Sequence, residues 1–150
     1  MEAESYNNAE VAAQIQDHFI AAQANIKVKP AYFHRFEVLW TPSVLILDAD
    51  GTERFRLEGY LPREEFSAQL ELGRARLAWL QQRWEAAQAI YEGVARQSPR
   101  TVAASAAIYW GEVCYYKRTQ DHTRLRPMAE RLRQQYPTSL AAEKAIAFLP

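Results

Sequence analysis

The 150-residue sequence predicts an α/β unit that gives way to an all-α tail. A continuous apolar run, "SVLILDA" (43–49), is followed by Asp-Gly and then by "ERFRLEG" (53–59), the pattern of a strand, a tight turn and a second strand. From Pro62 onward the apolar period changes from two to that of a helix. Within the tail, "RWEAAQAIYEGVARQSP" and "TRLRPMAERLRQQYP" overlay with Pro99 on Pro137, a repeat of 38 residues.

The elements follow in order. Val11, Ile15, Phe19 and Ala22 predict an amphipathic helix over 8–22, with Asn7 and Glu10 as its capping pair. "NIKVKP" (25–30) reads as a short strand stopped by Pro30, and "AYFHRFEV" (31–38) as a helical turn or short helix. "SVLILDA" has the unbroken apolarity of a strand buried on both faces, and "DADG" supplies the positive backbone angles of a hairpin turn. In the partner strand, Phe55 and Leu57 alternate with Arg54, Arg56 and Glu58, which leaves one face wet. Pro62 or Arg63 opens a helix with Glu64 and Glu65 in its first turn and a stripe of Phe66, Leu70, Gly73, Leu77 and Leu80. Four more helices cover "WEAAQAIYEGVARQ", "TVAASAAIYWGEVCYYK", "RLRPMAERLRQQ" and "SLAAEKAIAFL".

Eighteen basic and eighteen acidic residues cancel, so no strong field favours nucleic acid or an anionic membrane. The halves differ: residues 1–62 carry five Lys/Arg against nine Asp/Glu, and residues 63–150 carry thirteen against nine. No apolar stretch approaches the ~20 residues of a membrane helix. The opening "MEAESYNN" lacks the basic-then-apolar pattern of a secretory signal, so a cytoplasmic protein is expected. A single cysteine, Cys114, excludes an internal disulfide and any multi-cysteine metal site.

Trp84, Ala87, Tyr91 and Pro99 fall at the spacings of a tetratricopeptide repeat, which this region resembles, although the second copy lacks the small alanine and the aromatic. The tail is thus expected to form TPR-like helical hairpins with a capping helix.

A proline at the mouth of a core strand is tolerated there, and a cis bond at such a place marks a needed tight turn. The order of an aromatic, Thr41-Pro42, four apolar residues, a D-x-D-G turn, an alternating strand ending at Gly59 and an amphipathic helix resembles the C-terminal half of a thioredoxin fold. "RFEVLWTPSVLILDADG" and "EGYLPREEF" carry the resemblance, over about residues 6–80. It implies a thioredoxin-like unit over 1–80, an all-α tail over 63–150 sharing the linking helix, and a cis bond at Thr41-Pro42. It further implies that Trp40, Thr41 and Pro42 line a groove in which the residue before the proline offers backbone groups to an extended peptide.

Thioredoxin chemistry needs C-x-x-C at a helix N-terminus, where a thiolate forms readily. This sequence has no such pair, and the resemblance would put it immediately ahead of Met1. The same comparison leaves the N-terminal strand-helix-strand absent, so the implied sheet lacks its central strand and has edges open to another chain, a homodimer included. A start assigned too late, a truncation, or a natural fragment completed in trans would each give this pattern. The expected function is a redox-inactive protein-interaction module with protein or peptide partners; the alternative is a truncated thiol-disulfide oxidoreductase. Neither reading invokes a cofactor.

Other residues are weaker candidates. Cys114 shares a helix face with Ala103, Ala107 and Trp110 and reads as a buried structural thiol. His18, His34 and His122 stand at no metal-ligand spacing. Asp48, Asp50 and Gly51 echo a calcium loop, but Phe55 and Leu57 continue as a strand where ligands would be needed. Trp79, Trp84, Tyr91, Tyr109, Trp110, Tyr115 and Tyr116 read as inter-helix core or as a concave partner-binding face. Arg74, Arg76, Arg83, Arg124, Arg126, Arg131 and Arg133 suit an acidic peptide or an ordinary solvated face.

Overall fold

The computed structural model describes residues 8–25, 27, 28 and 30–150. In chain order the protein forms α1 (Ala9–His18), α2 (Pro30–Arg35), β1 (Ser43–Leu47), β2 (Glu53–Glu58), α3 (Arg63–Leu80), α4 (Trp84–Gln97), α5 (Val102–Thr119), α6 (Leu125–Gln135) and α7 (Leu140–Ala145). The last helix tightens into a 3-10 turn over Ile146–Phe148, short of the continuous helix expected there. A mixed α/β part followed by a helical part is the predicted class. Two compact units, Met1–Ser67 and Ala68–Pro150, divide inside α3.

In the first unit, α1 is capped by Asn8, whose side-chain oxygen accepts from the backbone N–H groups of Glu10 and Val11. The expected cap, Asn7, lies outside the described residues. The helix stops at His18 because Phe19 turns to extended backbone, and Ile20 beyond it is fully exposed. Only Val11 of α1 is buried; the apolar period runs on to Ala22, but nothing there rewards helical backbone by burial. Lys27 and Val28 form a turn, with the Val28 N–H donating to the Asn25 carbonyl at 3.0 Å, where a strand was expected. Ile26 and Lys29 of the same expected strand lie outside the described residues.

Strands β1 and β2 pair antiparallel, with Ser43 opposite Glu58, Val44 opposite Leu57 and Ile46 opposite Phe55. Among the described residues this two-stranded sheet is the whole sheet. Ile46 is therefore the one fully buried residue of β1 (4% exposed), and the expectation of burial on both faces is corrected: a ribbon of two strands cannot be covered like a central strand. A bulge between Ile46 and Leu47 leads into the loop 48–52. Asp48 organises that loop, accepting from the N–H groups of Asp50 (3.1 Å) and Thr52 (2.9 Å). Gly51 adopts φ +75°, the positive angle that the sequence anticipated; Asp50 does not share it.

In the second unit, α4 packs on α5, α5 on α6 and α7, and α6 on α7. Thr101 and Ser139 cap α5 and α7, accepting from the N–H groups of Ala104 and Ala142. Ala87, Tyr91, Val94, Ala103, Ala107, Cys114, Met128 and Leu132 fill the core. Gly111 lets α5 approach α4 closely: a Cβ there would stand 3.5 Å from the Tyr91 Cβ. The Tyr136 hydroxyl donates to the Pro99 carbonyl at 2.6 Å, tying together the ends of the two repeated segments. Leu80, expected on the buried stripe of α3, is 44% exposed, because α3 buries Leu72, Ala75 and Ala78 in the turns before it.

Candidate functional site

The segment between α2 and β1 is built by a left-handed cap. The Glu37 N–H donates to the His34 carbonyl (3.3 Å) and the Val38 N–H to the Phe33 carbonyl (3.0 Å), while Glu37 takes φ +48°. These are the two bonds of a Schellman motif, here with Glu in the place usually held by Gly. They turn the chain out of α2 and aim Leu39 and Trp40 at solvent, where they are 85% and 69% exposed. The Ser43 hydroxyl donates to the Trp40 carbonyl (2.7 Å), and the Gly59 N–H donates to the Pro42 carbonyl (2.8 Å), so the loop is pinned at its β1 end as the cap pins it at α2.

Arg56 of β2 clamps this loop from below. Its guanidinium donates to the Phe36 carbonyl and, at 3.3 Å, to the Glu37 carbonyl. The same group is held by Glu53 at 2.6 Å and Glu58 at 3.3 Å. The hydrogen bond to Glu53 is the main cause that raises the Arg56 pKa, and Arg56 in turn holds the Glu53 carboxyl below its ordinary value. Arg35 adds a bond to the Gly51 carbonyl (3.4 Å) and lies 5.0 Å from the centre of the Phe36 ring.

The three residues singled out from the sequence therefore stand together. Trp40 and Thr41 are exposed, Pro42 is half-buried, and the Thr41–Pro42 bond is cis. Among the described residues, neither the N–H nor the C=O of Thr41 has a hydrogen-bond partner. Leu39 and the Arg56 clamp were not anticipated. Leu39 was legible as an apolar neighbour of Trp40 outside any periodic run, whereas the clamp joins residues nineteen and twenty positions apart and leaves no local pattern.

Cys114 lies in the second unit and is 0% exposed, which agrees with its reading as a structural thiol. Burial, helped by the negative charge of Glu92, pushes its pKa up to about 12. No thiolate forms there near neutral pH.

The aromatic residues of the helical unit divide between the two readings. Tyr91 is buried, and burial raises its phenol pKa. Trp79, Trp84, Tyr109 and Trp110 are half-buried and meet edge to face, with Trp79 centred 4.6 Å from Trp84 and 5.2 Å from Trp110. Most of the arginines in question are engaged within the unit. Arg74 pairs with Glu71, Arg126 with Glu130, and Arg124 with Glu112 at 2.7 Å while lying 4.3 Å from the Tyr115 ring centre. Among the described residues no group of three His, Cys, Asp or Glu side chains is placed to hold a metal. No described helix is long and apolar enough to cross a membrane.

Residues 1–74 match the family model described as a thioredoxin-like domain. No curated protein and no solved structure matches the chain.

Proposed function

We propose, from the thioredoxin-like character of residues 1–74, that this chain binds extended polypeptide segments at Leu39, Trp40, Thr41 and Pro42 and performs no thiol chemistry of its own. One observation carries the reading: a large exposed apolar pair sits beside a residue whose backbone donor and acceptor are both unpaired among the described residues. An extended peptide presents the complementary N–H and C=O groups, and exposed aromatic side chains are the usual anchors of such contacts. The Schellman cap and the Arg56 clamp hold the segment in place before binding, which lowers the ordering cost of association. The redox-inactive part of the reading rests on the chemistry of the one cysteine, sealed and with a raised pKa.

The helical unit is read as TPR-like. Ala87 and Tyr91 are buried at their motif positions, Gly111 receives Tyr91, and the half-buried tryptophans leave aromatic surface for a partner. A cytoplasmic setting fits a chain whose single cysteine is unpaired.

Calorimetric titration of the chain with a reduced, carboxymethylated and hence permanently unfolded polypeptide tests the binding. Trp40→Ala should weaken it roughly tenfold or more while leaving the thermal transition in place. Equal binding by the variant would remove Trp40 from the site. In a parallel assay, the chain should not accelerate insulin reduction by dithiothreitol; clear acceleration would overturn the redox-inactive reading.

A further inference from the structure

We infer that the loop edge of the helical unit, where α4 turns into α5 and α6 turns into α7, docks an acidic polypeptide segment that also carries apolar side chains. The two loops are copies of one another in the 38-residue repeat, with residues 95–102 overlying residues 133–140. Their backbones are built alike. The Ser98 and Tyr136 N–H groups donate to the Val94 and Leu132 carbonyls at 2.9 and 2.8 Å. The Thr101 and Ser139 N–H groups donate to the Ser98 and Tyr136 carbonyls at 3.1 and 3.0 Å, and the same two residues cap the helices that follow. The bond from the Tyr136 hydroxyl to the Pro99 carbonyl sets the loops side by side. The edge is thus formed in advance of any partner, which lowers the ordering cost of association.

These two segments carry Arg96, Arg100 and Arg133 and no aspartate or glutamate, in a chain whose formal net charge is zero. All three arginines are exposed, and among the described residues none has an ion-pair or hydrogen-bond partner. Arg74, Arg124 and Arg126 of the same unit are by contrast neutralised by Glu71, Glu112 and Glu130. An arginine in the last turn of a helix ordinarily relieves the negative end of that helix's dipole. Here the C-terminal ends of α4 and α6 meet the N-terminal ends of α5 and α7, so the dipoles offset and the positive charge remains. The same edge holds Val102 (76% exposed) and Leu140 (64%), the first residues of α5 and α7. One exposed apolar residue is ordinary; here the same position is apolar and exposed in both copies.

This mixture selects the chemistry of the partner. Carboxylates meet guanidinium groups in paired, directional hydrogen bonds, and apolar side chains cover Val102 and Leu140. A nucleic acid would supply the negative charge but nothing to cover the apolar pair. A wholly apolar partner would leave three guanidinium groups desolvated and unpaired, at a large cost. A polypeptide segment with both kinds of side chain meets both demands. The surface belongs to the second unit, whereas the Trp40 segment belongs to the first, so the two readings stand or fall separately.

The test follows the anisotropy of a short fluorescein-labelled peptide of mixed Asp, Glu and Leu titrated with the full chain, with an oligothymidylate as the second probe. The peptide should bind, more weakly as salt rises, and the amide cross-peaks it shifts should gather at residues 96–102 and 133–140. Arg96→Gln, Arg100→Gln and Arg133→Gln combined should weaken binding roughly tenfold. Val102→Ser with Leu140→Ser should weaken it by roughly as much. Absence of binding, or equal affinity in either variant, overturns the inference. So does an oligothymidylate that binds as tightly as the peptide and ignores the serine pair, since the arginines then serve nucleic acid. Shifts gathered at residues 39–42 instead overturn it too, and that readout on the parent chain holds should a variant fail to fold.

Discussion

At the scale of single residues, Arg56 explains most about how the exposed segment is held. It bonds two carboxylates on its own strand and two carbonyls at the left-handed cap of α2. A planar guanidinium can reach all four, whereas a lysine ammonium is a point donor on a flexible stem. Arg56→Lys should therefore cost about 1–2 kcal/mol, the net value of one or two intramolecular hydrogen bonds, measured as a lower urea midpoint. It should also weaken the proposed peptide binding without touching Trp40. Unchanged stability would mean that the clamp is only a surface ion pair. The exposed turn at Trp40, Thr41 and Pro42 was legible because a proline at a strand mouth is unusual. Arg56 was not, because a charged residue in an alternating strand reads simply as its wet face.

Among the elements, the helices were the most legible. Helix α4 occupies Trp84–Gln97 as the periodicity and the following proline indicated, and α5 follows its Thr101 cap. Stops made by covalent geometry or by a capping oxygen are written locally. The end of α1 and the supposed strand at 25–30 depended on whether a packing partner existed, which periodicity alone does not encode. Where two elements do pack, the structure gives a graded prediction at Gly111. An added methyl would make an ordinary contact at 3.5 Å with Tyr91, so Gly111→Ala should be neutral or stabilising by up to about 1 kcal/mol through helix propensity. Gly111→Leu adds volume against a buried aromatic and should destabilise by about 1–3 kcal/mol. Thermal midpoints of the two variants on opposite sides of the parent would bear this out; a destabilised alanine variant would mean that the α4–α5 contact is tighter than described.

For the whole molecule, the pH dependence of stability is a sum of opposed contributions. Burial raises the Glu112 carboxyl above its ordinary 4.5 despite Arg124 beside it, and one of its oxygens is buried with no hydrogen-bond partner. The folded chain thus holds this proton more tightly than the unfolded chain. The associated stability is complete below about 4.5 and is lost as pH rises through the raised folded value. Asp48, Asp121 and Glu53 are shifted downward, the first two chiefly by backbone N–H donors and the third by Arg56. Their contribution is present above their ordinary values and lost as pH falls. Glu112→Gln removes the opposing contribution. The stability of the parent relative to this variant should decline as pH rises from about 4 to about 7, and parallel curves would show that Glu112 does not titrate differently on folding.

Cys114 has a consequence in time as well as in chemistry. A lone thiol, fully enclosed in the helical unit, meets a soluble thiol reagent only when the helices around it part. With reagent in excess its labelling rate counts those openings, and with reagent scarce it reports how much of the population is open. The absence of any other cysteine makes the signal unambiguous, so the chain carries an internal clock for its own breathing.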